Sequence, residues 1–166
     1  MALILIVLRH AKSGWGNPSL PDHARTLTDR GRRDARAVGV WLGARNLVPD
    51  LILSSDATRT RQTVADLSGG LGRDVPTEFL PSLYNASSDT IERTIRKQSV
   101  KLLLLCAHNP GIGNVAAALA TEPPEHPRFD DYPTAATTVL SFDVDNWSDI
   151  KTGACLSFLI PADLKT

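Results

Sequence analysis

Two stretches of this chain are apolar at every position, and each stops abruptly, one at an Arg-His pair and the other at a histidine. Residues 2–8 read Ala-Leu-Ile-Leu-Ile-Val-Leu before Arg9-His10, and residues 102–107 read Leu-Leu-Leu-Leu-Cys-Ala before His108. Runs this short, lacking the alternation of a half-buried strand, predict strands covered on both faces, as in the parallel sheet of an α/β fold. They are placed at 3–8 and 101–107, with a shorter strand at 51–54. Between them the apolar positions recur at helical spacing. Thr28 caps a helix whose stripe Ala35, Val38, Val40, Trp41, Leu42, Leu47 ends near Asn46. A second helix begins around Asp56, turns Val64, Ala65 and Leu67 inward, and is expected to stop at Gly69-Gly70. Ser88 or Asp89 opens a third, through Ile91 and Ile95 to about Lys97. Asn109 as cap and Pro110 as first helical residue open a fourth, through Val115, Ala116 and Leu119.

The remaining segments are less regular. Residues 15–25 and the proline-rich 122–133 read as loops, and 75–83 as an extended segment interrupted by Pro76 and Pro81. Residues 138–144 and 154–160 read as two strands joined through 146–149, at an antiparallel side of the sheet. Strand and helix alternate over the first 120 residues or so, which predicts a three-layer α/β/α sandwich. Its central sheet is expected to be mostly parallel with an antiparallel strand near the C-terminus, in a single domain over 1–166.

Composition narrows the function. A chain of 166 residues buries roughly 70% of its unfolded surface, so neither metal nor disulfides are required for a core. Cys106 and Cys155 lie in apolar segments and are expected as buried free thiols. Eighteen basic residues balance eighteen acidic ones, so bulk charge draws the chain toward neither nucleic acid nor membrane. An anion site must therefore be local. The opening apolar run is too short to span a bilayer, which makes a cytoplasmic location the expectation.

Chemistry is expected where strands end, because open parallel sheets bind ligands at the carboxyl edge. Three segments place polar residues there: Arg9-His10, residues 54–59, and His108-Asn109. Two histidines and two arginines would then line one crevice. Arg59 sits near a helix start, where unsatisfied N–H groups already favour an anion, and Thr63 on the same helical face can buttress it.

These residues carry a resemblance. The run Leu8-Arg9-His10-Ala11-Lys12-Ser13, together with Ser54, Ala57, Arg59, Thr60, Thr63 and the strand-ending His108, resembles the histidine phosphatase (phosphoglycerate mutase-like) superfamily. Trp15, Asp22, Arg25, Leu27 and the segment Leu83-Tyr84-Asn85-Ala86 look like its SixA-type phosphohistidine phosphatases. The resemblance implies His10 as the phosphoryl-accepting nucleophile, Arg9 and Arg59 on the phosphoryl oxygens, and His108 completing the pocket. It further implies a metal-independent enzyme without cofactor, acting on a phosphorylated protein or a small phosphate substrate.

Physical chemistry adds its own expectations. Closely placed arginines offset the charge of a phosphoryl dianion and keep His10 neutral. His108 is most useful protonated, so the two histidines are expected to titrate apart. Residues 81–88 offer no carboxylate as a general acid, while Glu78, Asp89, Glu92 and Asp22 read as solvated charges or, for Asp89, a cap. That favours a P–N bond, whose imidazole leaving group needs less protonation than an alkoxide. Lys12 and Arg25 can extend the cationic pocket, Ser13 and Asn85 can donate to phosphate, and Trp15 can wall the crevice. His23 and His126 lack metal-ligand spacing and read as surface residues. Three other functions fit the same residues: a small-molecule phosphomonoesterase, a hydrolase with metal held by His10, His108 and Asp22, and a non-catalytic phosphate-binding module.

Overall fold

In a computed structural model, which describes residues 2–165, the two apolar runs lie side by side at the middle of one six-stranded sheet. β1 (Leu3–Arg9) and β4 (Leu102–Ala107) pair in parallel, from Ile4 opposite Leu102 to Arg9 opposite Ala107. β2 (Leu51–Ser55) flanks β4, and β3 (Thr77–Leu80) forms the edge beyond it. β5 (Thr137–Phe142) runs antiparallel to β1, and β6 (Ala154–Leu159) antiparallel to β5. The order is β3-β2-β4-β1-β5-β6, with β5 the one reversed strand, as expected from the sequence.

Successive side chains of a strand face opposite ways, and here both faces are covered. Leu5, Val7, Leu53, Leu103 and Leu105 pack on α3 (Ser88–Arg96) and α4 (Gly111–Leu119). Ile6, Leu8, Ile52, Leu104 and Cys106 pack on α1 (Asp29–Ala44) and α2 (Thr58–Leu71). Leu5, Ile6 and Val7 are fully buried in succession, and each contributes about 2 kcal/mol of apolar burial. Among the described residues no helix is long and apolar enough to cross a membrane.

Several boundaries move. Thr28 caps α1 as expected, its Oγ1 accepting from Gly31 N–H at 3.0 Å. The cap of α3 is Ser87 rather than Ser88 or Asp89, accepting from Thr90 N–H. Pro110 precedes α4 instead of opening it, while Asn109 Oδ1 still accepts from Gly113 N–H. Cys155 is half-buried because β6 is the sheet edge.

The largest departure is the end of α2. The helix passes Gly69-Gly70 and ends at Leu71, with Gly72 in the left-handed region (φ 75°) as its cap. Gly70 serves another purpose. A Cβ there would be driven into the Arg36 carbonyl oxygen, and one at Gly39 into that of Leu67, so these glycines let α1 and α2 cross in backbone contact. Gly39→Ala is therefore expected to cost about 3 kcal/mol in urea unfolding, because two backbones must separate. Gly16→Ala, in open space, should be near neutral. Equal midpoints for the two variants would refute the close crossing.

Candidate active site

The carboxyl ends of β1, β2 and β4 deliver His10, Ser55 and His108 to one edge, and the start of α2 adds Arg59. A cleft of about 240 Å³ opens there, lined by Arg9, His10, Arg59 and His108 together with Lys12, Ser13, Trp15, Arg25 and Asn85. Every residue named as a site candidate from the sequence is thus brought to one place. A larger groove of about 730 Å³ between α2 and β3 contains neither histidine nor cysteine.

His10 is 6% exposed, and its ring centre lies 5.3 Å from that of His108. Its Nδ1 is 2.8 Å from the Ala11 carbonyl oxygen, which can only accept. Nδ1 must therefore carry the proton, and Nε2 keeps its lone pair. Burial, then the proximity of His108, Arg9 and Arg59, lowers the pKa of His10 to about 3 against the opposing effect of the Ala11 bond. The strand end is held on both sides: Ala135 N–H donates to the carbonyls of Arg9 and His10. Ala11 N–H donates to Thr63 Oγ1, which donates in turn to the Arg59 carbonyl. Thr63 thus buttresses both the loop and the arginine.

His108 departs from expectation. Burial, then Arg59, lowers its pKa to about 4, with Asp22 only partly opposing, so at neutral pH both histidines are uncharged. Its protonation was expected to serve a phosphate oxygen, yet the neutral ring can do so. Ser55 Oγ accepts from Ala57 N–H and lies 2.8 Å from His108 Nε2. The Ser55 hydroxyl has no other acceptor among the described residues, so its proton is directed to Nε2 and the ring proton is assigned to Nδ1. That Nδ1 is buried without a partner, and so are Arg9 Nε and Arg59 Nε. Arg9, Arg59 and His108, which carry these atoms, line the cleft beside a neutral nucleophile, a cationic and donor-rich setting for an anion with several oxygens.

Asp22, read from sequence as a solvated charge, is instead the hub of the cleft wall. Arg59 donates through Nη1 to the Asp22 carbonyl oxygen at 2.8 Å and through Nη2 to its carboxylate at 3.1 Å. Arg25 Nη1 and the Tyr84 hydroxyl donate to the same carboxylate. Tyr84, then Arg25 and Arg59, hold Asp22 well below the usual carboxylate range, so it is no proton donor. Arg25 extends the network to Ser13 Oγ at 2.7 Å and stacks its guanidinium on Trp15, 3.6 Å from the ring centre.

Tyr84 also meets His108 and His23 edge-on, at 5.5 and 4.8 Å. Both peripheral histidines are partnered rather than free at the surface: His23 with Asp56, His126 with Asp163 and the Phe158 ring. Lys12 and Asn85 are exposed on the rim. Thr134 lines the cleft without having been named from the sequence, while Ser55, Asn109 and Tyr84 entered there only as members of strand-end or family-like segments and here contact or line the site. Among the described residues no group of three or more His, Cys, Asp or Glu side chains is disposed to hold a metal ion.

The depressed histidines make stability pH-dependent. Their folded pKa values of about 3 and 4 lie below the unfolded value near 6.5, so the unfolded chain binds more protons between those limits. Stability is complete above pH 6.5 and falls on acidification, by about 2 kcal/mol per histidine at pH 5. Tm should drop between pH 7.5 and 5, and His108→Gln should flatten that slope. An unchanged slope would show that His108 is not held neutral.

Known proteins share this architecture. A model of the histidine phosphatase superfamily, branch 1, matches residues 5–92. An uncharacterized protein of Mycobacterium tuberculosis (H37Rv) is 34% identical over 163 residues, spanning 93% of this chain and 99% of that one. A protein from Agrobacterium tumefaciens, provisionally assigned as the phosphohistidine phosphatase SixA, superposes with a TM-score of 0.79 at 27% identity, covering 96% of this chain and 98% of its own. The protein histidine phosphatase SixA complexed with tungstate superposes with a TM-score of 0.80, covering 98% of this chain and 100% of its own. At 21% identity it is a likeness of fold.

Proposed function

The chain belongs to the histidine phosphatase superfamily, whose members are phosphatases or mutases, and we propose that it is a metal-independent phosphatase acting on phosphohistidine in a protein. One domain across residues 1–166 would carry the activity. The supporting observation is the pairing of an unprotonated His10 Nε2 with the unpartnered Arg9 Nε, Arg59 Nε and His108 Nδ1.

In the proposed reaction His10 Nε2 attacks the phosphorus of the substrate, forming one P–N bond as the substrate's P–N bond breaks. Charge spreads over the equatorial oxygens in this transfer, and Arg9, Arg59 and His108 lining the cleft offset it. The departing imidazole takes its proton from solvent. Water then attacks the phospho-His10 intermediate, the P–Nε2 bond breaks, and phosphate leaves with His10 restored. Asp22 supports the choice of a labile P–N bond, because the carboxylate at the cleft stays ionised and cannot protonate an alkoxide.

Hydrolysis of a phosphohistidine protein, free phosphoramidate and a panel of phosphate esters, each with and without chelator, tests this reading. P–N substrates are expected to be cleaved at least about 10²-fold faster than unactivated alkyl esters, for want of an acid worth that factor. Chelator should leave the rates unchanged. Faster cleavage of alkyl esters than of P–N substrates would overturn the assignment.

A further inference from the structure

The catalytic cleft does not end at Lys12. Arg9, Lys12 and Thr134 also line a second cavity of about 350 Å³, together with Arg30, Arg128, Asp131 and an apolar flank of Pro133 and residues 160–162. It lies between the start of α1, the 128–134 loop and the turn Pro161–Leu164. In a chain of zero net charge, four cations against one carboxylate is a local concentration of positive potential.

The donors in this cavity are not used up. The Lys12 ammonium has no partner among the described residues. Arg30 meets Asp34 at 3.6 Å, beyond hydrogen-bond range, and its side chain is 60% exposed. Arg128 holds Asp131 through Nε and Nη2, which fixes its orientation and leaves Nη1 free. These groups come from three separate segments, and each keeps N–H donors that no other group of the described residues takes up.

We infer that this cavity is a second anion subsite, taking an acidic side chain that flanks the phosphohistidine of a protein substrate. The inference rests on the phosphohistidine reading of the adjoining cleft. A small metabolite is normally enclosed by its site, whereas half-exposed cations along a trench suit an acidic protein surface laid across the rim. Lys12, shared by both cavities, bridges the phosphoryl group and the flanking carboxylate.

Two phosphohistidine peptides, identical except for glutamate or glutamine beside the phosphorylated residue, test it alongside free phosphoramidate. The unaltered protein should show the lower KM for the glutamate peptide, with the difference shrinking at high salt. In Arg30→Gln/Arg128→Gln that KM should rise about fivefold, as expected for two exposed ion pairs, while the glutamine peptide and phosphoramidate are unaffected. Charge reversal, Arg30→Glu/Arg128→Glu, should create a preference for a lysine-flanked peptide, which a merely structural role would not do. Equal KM values for the two peptides in the unaltered protein, or equal losses on all three substrates, would overturn the subsite while phosphoramidate cleavage kept the catalytic reading intact. If the unaltered protein cleaved neither phosphoramidate nor any peptide, the catalytic reading would fall and the subsite with it.

Discussion

His10→Ala is expected to lower turnover by at least about 10³-fold, roughly 4 kcal/mol of transition-state stabilisation. The variant keeps Arg9, Arg59 and His108 in place, so phosphate binding should survive better than catalysis. What it loses is the Nε2 lone pair that the Nδ1 bond to Ala11 makes available. The unaltered protein, quenched during turnover, should carry an acid-labile and base-stable phosphoryl group, and the variant none. Turnover within tenfold of the original would exclude a phospho-His10 route. Full function together with unchanged phosphate affinity would mark the chain as a binding module instead.

Arg59→Lys comes next, with an expected loss of about 10²-fold in kcat/KM, the scale of removing one oxyanion donor. A guanidinium has two faces that can each offer a pair of parallel N–H bonds. The end-on face of Arg59, Nη1 with Nη2, is taken by Asp22, and the side-on face retains the unpartnered Nε and the second Nη2 hydrogen. Lysine gathers its three donors on one nitrogen and cannot offer parallel pairs to Asp22 and to a phosphoryl group at once. Asp22→Asn should be milder, raising KM more than it lowers kcat, because it loosens the arginine without removing it. Measured on phosphoramidate with folding checked by circular dichroism, a silent Arg59→Lys would remove Arg59 as the phosphate clamp.

The parts of this molecule that could be read from sequence are those whose cause is local. Residues 2–8 and 102–107 announce themselves as central strands because burial on both faces requires an unbroken apolar run, and the same runs locate the sheet edge where His10 and His108 emerge. Asp22 was illegible for the opposite reason. Arg25 and the family-like segment lie close by, but the partners that draw Asp22 into the site, Arg59 and Tyr84, stand 37 and 62 residues away, so its own neighbourhood shows a loop ion pair and not a hub. His126 likewise meets Asp163 only because the chain returns through the final turn, 37 residues later. Gly70 failed differently. A helix crossing and a helix end both favour glycine, and only the position of Arg36 on α1 decides between them. The charge state of His108 depended first on how deeply its ring is buried and then on Arg59 beside it, which spacing alone does not reveal.

The bond from His10 Nδ1 to the Ala11 carbonyl has a bearing on how this site can vary. In many catalytic histidines the proton is steered by a carboxylate side chain, which substitution can delete or exchange. Here the steering atom belongs to the main chain of the adjacent residue, and every amino acid supplies the same oxygen. A saturation scan would therefore find no position whose side chain selects the tautomer, and the nucleophile's readiness would be inherited with the course of the backbone after β1.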